Sequence, residues 1–199
     1  MNRRVAPLAA LLLAFAGCLG DDAPERDAGD QDRAEERLPE NVTFALTSTA
    51  FAEGQPIPRK YSCDANMQSQ PSPPLNVTGA PPGTVTLALI AEDRDVPFPE
   101  TPMRVVTHWL VWNLVPGNGT VTFPEDAVPE GAREGDQGWR GPCPPVGSNP
   151  HRYNFTAYAL DHAPDLAAGS NRAALEQAMD GHVLATTRLI GTYARQPLG

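Results

Sequence analysis

The chain has little positive charge and lacks the short motifs that mark common enzyme classes. Lysine and arginine together number 15 against 24 acidic residues, the formal charge is −9, and Lys60 is the single lysine. Because nucleic acids and anionic membranes attract proteins through positive charge, this balance excludes both as partners held by bulk charge. The cysteines form no CxxC pair, and neither a nucleophile elbow nor an HxxEH-like metal spacing occurs. The sequence therefore predicts no metal site and no cofactor.

No apolar run is long enough to cross a bilayer. The longest run, Val5 to Ala16, follows Arg3 and Arg4 and ends in small residues directly before Cys18. A basic start, a short apolar stretch and a small-residue cleavage site are typical of an export signal. The letters LAFAGC at its end resemble a lipobox, in which the cysteine is lipid-modified and becomes the first residue. We predict a signal peptide over 1–17 and a lipid on Cys18 that anchors the exported protein to the outer face of the cytoplasmic membrane. The alternative is a plain secretory signal with an incidental cysteine.

The segment after Cys18 is acidic, poor in apolar residues and free of aromatic ones. Such a segment buries too little surface to offset its conformational entropy, and its own charge extends it. We predict a disordered tether over 18–40; the alternative is a short amphipathic helix over Asp30 to Leu38. The remaining residues, 41–199, suit one domain with a sizeable core.

Two cysteines, Cys63 and Cys143, are left once Cys18 carries a lipid. Both lie in loop-like stretches, and in an oxidising compartment such cysteines form a disulfide more often than they stay free. We predict a Cys63–Cys143 bridge that anchors the loop around Cys143 to the YSCDAN turn. The alternative is a pair of free thiols.

The alternation of apolar and polar residues predicts a mainly β protein. Val85 to Ala91 is apolar at nearly every position, which is typical of a strand buried on both faces. A helix with a cap at Ser170 or Asn171 and a C′ glycine at Gly181 precedes the last strand. These elements predict an antiparallel β-sandwich with one or two short helices near the C-terminus, and an irregular region over Glu53 to Gly83. The other predicted strands are Val42 to Phe51, His108 to Val115, Val121 to Phe123, Tyr153 to Leu160 and Val183 to Tyr193.

A loop rich in glycine and proline joins an alternating aromatic strand over Gly138 to Asp161, GWRGPCPPVGSNPHRYNFTAYALD. Gly141 and Gly147 can take positive φ, and the prolines fix φ, so the loop can hold polar side chains rigidly at the mouth of the strand. From GPCPP onward, the stretch resembles the second signature of the phosphatidylethanolamine-binding protein family, in the bacterial and archaeal branch described as Raf-kinase-inhibitor-like. AEDRDVP from Ala91, THWLVWNLVP from Thr107 and GHVLATTRLIGTYAR from Gly181 resemble three further family segments in the same order.

The resemblance implies the fold of that family and its small anion pocket. The first aspartate of the family's DPDAP motif lines the pocket and matches Asp93. The second, a structural hydrogen-bonding residue, matches Asp95. Arg94 and Val96 depart from the family's proline and alanine, and Arg94 would alter the charge at the pocket rim. Trp139 matches a loop position that shapes the pocket wall. The ligand-binding residues that the resemblance implies are Asp93, His108, Gly141, Cys143, Pro145, His151 and Tyr153.

These residues have the chemistry of an anion receptor. A carboxylate favours the imidazolium form of a neighbouring histidine, so we expect Asp93 to hold His108 or His151 charged. Loop N–H groups and the Tyr153 hydroxyl would complete the hydrogen bonds to a phosphate-like group. We expect this binding to weaken as pH rises and the histidine loses its proton.

The function predicted from the sequence is that of a membrane-tethered, non-catalytic protein that binds a small anion or a phospholipid headgroup. Two alternatives come from other classes. The family includes inhibitors of kinases and of peptidases, which makes an extracellular peptidase a candidate protein partner. Cys143, His151 and Asp93 would also suit a thiol hydrolase, as nucleophile, base and orienting acid, although a disulfide at Cys143 would abolish it. His162 and His182 match no pocket position and are expected to be solvent-exposed and structural, respectively.

Overall fold

The computed structural model describes residues 43–96 and 105–195. The predicted signal peptide over 1–17, the lipidation site Cys18 and the predicted tether over 18–40 lie outside the described residues. None of the described helices is both long and apolar enough to span a membrane. The described residues cover most of the domain that the sequence predicts over 41–199.

The strands of the described chain form two antiparallel sheets. In chain order the elements are β1 (Ala45–Thr47), a 3-10 helix (Arg59–Tyr61), β2 (Leu75–Thr78), β3 (Thr86–Asp93), β4 (Val106–Leu114), β5 (Val121–Phe123), β6 (Arg133–Glu134), β7 (His151–Leu160), α1 (Arg172–Met179) and β8 (Val183–Tyr193). The smaller sheet has the strand order β1-β2-β5, and the larger sheet has the order β6-β4-β3-β7-β8. All pairings between these strands are antiparallel, which confirms the predicted mainly β fold.

The central strand β3 separates two clusters of core side chains. Every residue of this strand is buried, as its continuous apolar pattern predicts. Leu87 and Leu89 pack with Val77 and Phe123 of the smaller sheet in the core between the two sheets. Ile90 faces the other way and belongs to a second cluster, because successive strand residues point to opposite faces of a sheet.

Helix α1 covers the outer face of the larger sheet. Leu175 and Met179 are buried against Leu110 and Trp112 of β4, and burying such a side chain contributes about 1.5–3 kcal/mol. The side chain of Asn171 accepts a hydrogen bond of 3.0 Å from a backbone N–H in the first turn, which confirms the predicted cap. The described chain thus has three layers: the smaller sheet, the larger sheet and the helix.

The observed strands differ from the predicted ones mainly in the proline-rich first third of the domain. The first strand is Ala45–Thr47 and not the longer segment that the alternation predicts. Strand β2, Leu75–Thr78, lies inside the region predicted to be irregular and is the middle strand of the smaller sheet. The sequence pattern does not predict this short strand because prolines lie on both sides of it. The predictions for Val121–Phe123 and Val183–Tyr193 are confirmed.

A disulfide joins Cys63 to Cys143, with 5.4 Å between their Cα atoms, as the sequence predicts. The N–H of Cys63 also donates a hydrogen bond of 3.1 Å to the carbonyl of Pro142. The bridge connects residues 80 positions apart. It therefore fastens the glycine- and proline-rich loop before β7 to the turn that follows the 3-10 helix.

Candidate functional site

His108 is the extra residue of a β-bulge in β4. Its chain neighbours, Thr107 and Trp109, pair with consecutive residues of β3, so the bulge lies between them. Trp109 points into the core between the sheets, and regular alternation would therefore turn His108 toward the helix-covered face. The bulge re-aims the side chain, as bulges beside functional sites often do. The His108 ring instead meets the Tyr153 ring edge-on, with 5.1 Å between the ring centroids.

Asp93 and His151 form a buried pair. Asp93 ends β3 and His151 begins the adjacent β7. Oδ2 of Asp93 lies 2.7 Å from Nδ1 of His151, and the two side chains are only 5% and 6% exposed. The other oxygen, Oδ1, accepts a hydrogen bond of 2.8 Å from the N–H of Asp95. Because Nδ1 is engaged by the carboxylate, Nε2 is the ring nitrogen of His151 that is left for a ligand.

Tyr153 lies opposite Asp93 in the β3–β7 ladder and is 1% exposed. The Asp93 carboxylate and the Cys143 backbone lie near its hydroxyl, yet no hydrogen bond of good geometry is completed among the described residues. Burial, and next the negative charge of Asp93, raise the pKa of Tyr153 far above its usual value. The hydroxyl therefore keeps its proton and can donate it to a hydrogen bond. Leaving such a buried group unpaired costs about 1–3 kcal/mol.

The polar contact of His108 is with the backbone. Its Nδ1 lies 2.5 Å from the carbonyl oxygen of Arg140. A carbonyl can only accept, so Nδ1 carries a proton, and Nε2 of the neutral ring is an acceptor. Burial lowers the pKa of His108, although the Arg140 carbonyl and the charge of Asp93 partly oppose this. An imidazolium at His108, one of the two forms expected from the sequence, is therefore disfavoured, and the histidine that Asp93 contacts is His151.

Asp95 ties the end of β3 to the start of β7. Its carboxylate accepts hydrogen bonds from Nε, Nη2 and the backbone N–H of Arg152, at 2.8, 2.7 and 2.9 Å. These bonds, the side-chain ones foremost, hold the pKa of Asp95 below its usual value despite partial burial. Asp95 thus makes the kind of structural contact that the resemblance implies. Arg94 instead pairs with Glu92, and both line a groove on the outer face of the sheet.

Gly141 is required for a different reason from the one predicted. Its φ lies outside the left-handed region, whereas Gly147 has a φ of 78° as expected. A Cβ atom on Gly141 would lie 2.1 Å from the carbonyl oxygen of Tyr61, so the close approach of two backbones leaves no room for a side chain. The N–H of Gly141 donates to Oε1 of Gln70 at 3.1 Å. It is therefore already engaged within the chain.

An open cleft of about 430 Å³ lies beside these residues, and the loop before β7 forms one of its walls. A much smaller hollow, of about 10 Å³, adjoins His108. The residues lining the larger cleft are Asp95, Ser148, Asn149, Pro150, His151 and Arg152. His151 thus connects the buried pair with the cleft, while Asp93 and Tyr153 lie deeper.

The structure brings together four of the seven predicted ligand-binding residues: Asp93, His108, His151 and Tyr153. The other three belong to the loop: Gly141 approaches the backbone of Tyr61, and Cys143 and Pro145 are exposed.

The predicted pocket-wall residue Trp139 packs against the main core instead. Its ring is stacked 5.9 Å from that of Phe155. The sequence does not predict two groups that contact these residues: the Arg140 carbonyl, which contacts His108, and the Arg152 guanidinium, which contacts Asp95. The side chain of Arg152 could have been suspected from its place in HRY, but a backbone carbonyl leaves no signal in a sequence.

Comparisons with known proteins extend over nearly the whole domain. Residues 47–194 match the family model described as phosphatidylethanolamine-binding protein. A UPF0098 protein of Methanothermobacter thermautotrophicus is 39% identical over 161 residues, which cover 75% of this chain and 98% of that protein. LppC of Mycobacterium tuberculosis, which bears the name of a lipoprotein, is 32% identical over 196 residues that cover 92% of each protein.

Two solved structures have a similar fold. CT736 of Chlamydia trachomatis, named as a phosphatidylethanolamine-binding protein homolog, has a TM-score of 0.67 and 40% identity, over 77% of this chain and 98% of its own. YbcL of Escherichia coli, described as a new member of the mammalian PEBP family, has a TM-score of 0.65 and 26% identity, over 76% of this chain and 98% of its own.

Proposed function

Because this chain belongs to the phosphatidylethanolamine-binding protein family, we propose that it is an extracytoplasmic lipoprotein that binds a small anion, such as the phosphate of a phospholipid headgroup. The binding residues are Asp93, His108, His151 and Tyr153, which we call the anion cluster. The family relationship supports a ligand pocket at this place, and the similarity to LppC supports the lipid anchor.

The observation that carries the proposal is the hydroxyl of Tyr153. It is a buried donor that keeps its proton and completes no hydrogen bond of good geometry among the described residues, although the Asp93 carboxylate lies near it. Buried polar groups in folded proteins nearly always have a partner. An anionic oxygen placed between Tyr153 and the two histidine rings would give the hydroxyl that partner.

The two histidines of the anion cluster would each donate a hydrogen bond to the anion. His151 is oriented through its Nδ1 by Asp93, so that Nε2 can donate to the anion when the ring is protonated. His108 is held through its own Nδ1 by the Arg140 carbonyl and must take up a proton before its Nε2 can donate. Hydrogen bonds to a charged group contribute about 1.5–3 kcal/mol each. Two or three of them support micromolar to millimolar affinity.

The anchor places this pocket beside a source of headgroups. A lipid on Cys18, followed by the acidic segment 18–40, would hold the domain close to a membrane without pressing it onto the surface. The net charge of −9 opposes adsorption to anionic lipid. The ligand would therefore be recognised by the cluster and not by bulk charge. A Cys18→Ser variant that still partitions with membranes would contradict the anchor.

Binding without turnover is part of the proposal. In the thiol hydrolase alternative, Cys143 would act as a nucleophile, and a disulfide leaves no thiolate for that step. The exposed loop position of Cys143 and its bond to Cys63 support a role in holding the loop.

Two tyrosine variants test the proposal on the full-length chain in detergent. Tyr153→Phe removes only the hydroxyl in question. Tyr158→Phe makes the same change on the same strand, where the side chain packs on the helix-covered face. We expect Tyr153→Phe to weaken the binding of phosphate and of phosphoethanolamine about tenfold, the equivalent of one lost hydrogen bond. The free Tyr153→Phe protein should be as stable as the wild type or more stable, because an unpaired buried hydroxyl has been removed.

Calorimetric titration of both ligands into the wild type and the two variants gives the answer. Equal affinities in Tyr153→Phe and Tyr158→Phe would refute the anion cluster as the binding site. Phosphoethanolamine binding much tighter than that of inorganic phosphate would indicate a lipid headgroup as the source of the anion. Equal binding of the two would indicate free phosphate.

A further inference from the structure

A second group of polar side chains lies at the opposite end of β7 from the anion cluster. Asp161 and His162 directly follow the last residue of β7, and His182 directly precedes the first residue of β8. Strand β7 has 10 residues, so the two sites are roughly 30 Å apart at about 3.3 Å per residue. The second group is therefore independent of the proposed anion binding.

One carboxylate oxygen and two ring nitrogens converge in this group. Oδ1 of Asp161 lies 2.8 Å from Nδ1 of His182 and 3.7 Å from Nδ1 of His162. The three ligand atoms all lie within 4.8 Å of one another. Ligand atoms bound about 2.0–2.1 Å from a tetrahedral zinc ion lie roughly 3.3 Å apart. The two measured distances fall on either side of that value, so small side-chain rotations would bring all three atoms to one ion.

Hydrogen bonding alone leaves one of these nitrogens unexplained. Nδ1 of His162 is buried and has no hydrogen-bond partner among the described residues. Its ring lies against that of His182, with 4.0 Å between the centroids. An unpaired buried ring nitrogen lowers stability, and a metal ion would use its lone pair. The His162 side chain is 30% exposed, so the solvent exposure predicted for this residue holds for part of the ring but not for this nitrogen.

The backbone holds the ligands in position without any ion. The N–H of Asp161 donates to the carbonyl of His182 at 3.2 Å, and the N–H of His182 donates to the carbonyl of Met179 at 3.0 Å. The hydroxyl of Thr86 donates to the carbonyl of His162 at 2.7 Å. A site whose ligands are already ordered loses less conformational entropy when it binds.

We propose that Asp161, His162 and His182 bind a divalent transition-metal ion of the zinc, copper or nickel type, with water in the remaining position. Two imidazoles and one carboxylate suit these ions, whereas magnesium and calcium prefer oxygen ligands alone. The ion would join the two ends of the segment that carries α1. The sequence predicted no metal site because residues 161 and 182 are too far apart in the chain for any of the local metal spacings.

Titration of the full-length chain with Zn²⁺, after removal of metal by a chelator and with a purification tag that lacks histidine, tests this proposal. We expect one Zn²⁺ per chain and a higher Tm with Zn²⁺ than without. Removing one ligand, in His162→Ala or His182→Ala, should weaken the affinity at least about tenfold. Asp165→Asn changes an exposed carboxylate in the same loop and should keep the wild-type affinity.

Electron paramagnetic resonance with Cu²⁺ gives an independent readout. The spectrum of the wild type should show hyperfine coupling to two imidazole nitrogens, and that of either histidine variant should show coupling to one. Failure of the wild type to bind Zn²⁺, or equal affinities in the wild type and both histidine variants, would overturn the proposal. Asp161→Asn nearly preserves side-chain size, and it gives the same comparison if an alanine variant does not fold.

Discussion

Oδ2 of Asp93 lies 2.7 Å from Nδ1 of His151, across 58 positions of sequence. The contact joins the end of β3 to the start of the adjacent strand β7. Both partners are buried, so neither can be satisfied by bulk water. The same contact orients His151 toward the adjacent cleft and holds two strands in register.

We expect the Asp93–His151 contact to stabilise the fold as well as to orient the ring. Urea unfolding of Asp93→Ala, His151→Ala and the double variant forms a double-mutant cycle. A hydrogen bond that involves a charged partner should give a coupling free energy of about 1.5–3 kcal/mol. Strictly additive effects of the two single variants would mean that the contact contributes nothing of its own.

Sulfate affinity should rise as pH falls below the usual histidine pKa. Burial lowers the pKa of His108, so the ring is neutral in the free protein near neutral pH. A bound anion favours the protonated ring, and each binding event then takes up a proton. Sulfate is the better probe because its charge stays constant between about pH 5 and pH 8, unlike that of phosphate. Sulfate titrations over this pH range should show the affinity of the wild type rising as the pH falls. The affinity of His108→Asn should rise less.

His108 should also make the stability of the free domain sensitive to acid. Its folded-state pKa is depressed, so the unfolded chain binds a proton more readily than the folded one. The neutral ring makes its full contribution to stability above about pH 6.5, the pKa of the histidine in the unfolded chain. That contribution falls as the pH drops toward the folded-state pKa, with a slope of at most about 1.4 kcal/mol per pH unit. In His108→Asn, whose amide can still donate to the Arg140 carbonyl, the unfolding free energy should depend less on pH between about pH 7 and pH 5. Identical profiles in the two proteins would argue against a buried neutral His108.

Removing the disulfide should destabilise the domain strongly. In the chain-entropy account, a bridge across 80 positions lowers the conformational entropy of the unfolded chain and so stabilises the folded state by about 4–5 kcal/mol. We expect a reductant to lower the Tm of the wild type and to leave unchanged that of a variant carrying both Cys63→Ser and Cys143→Ser. A thiol reagent that modifies Cys63 or Cys143 in the unfolded, unreduced protein would show that the bridge is absent.

Gly141→Ala should disrupt the loop, whereas Gly117→Ala should not. A Cβ atom at Gly141 would lie 2.1 Å from the carbonyl oxygen of Tyr61, but one at Gly117 meets nothing within 4 Å. Because the obstacle is backbone, we expect Gly141→Ala to cost about 1–3 kcal/mol or more. Gly117→Ala should be neutral or slightly stabilising, since it reduces the freedom of the unfolded chain. Thermal unfolding of the two variants makes the comparison, and equal Tm values would contradict the close approach.

The fold could be predicted from the sequence where a local pattern determines structure. The strand over Val183–Tyr193 and the cap at Asn171 each depend on a run of neighbouring residues, and the sequence predicts both. Strand β2 was missed because prolines surround it and its pairing partners lie far away in the chain. The bulge at His108 was missed because an inserted residue shows only when β4 is paired with β3, and a single strand carries no record of it.

By itself, the sequence determined the mainly β fold, the two cysteines that bridge, and the residue types gathered in the anion cluster. These follow from backbone preferences, from which face of a strand is apolar and, for the cluster, from the resemblance of its motifs to those of the family. Only the tertiary structure decided that Asp93 contacts His151 and not His108, that Gly141 is required by a neighbouring carbonyl, and that Asp161 meets two histidines. Such contacts depend on strand order and register, which the packing of the whole core sets.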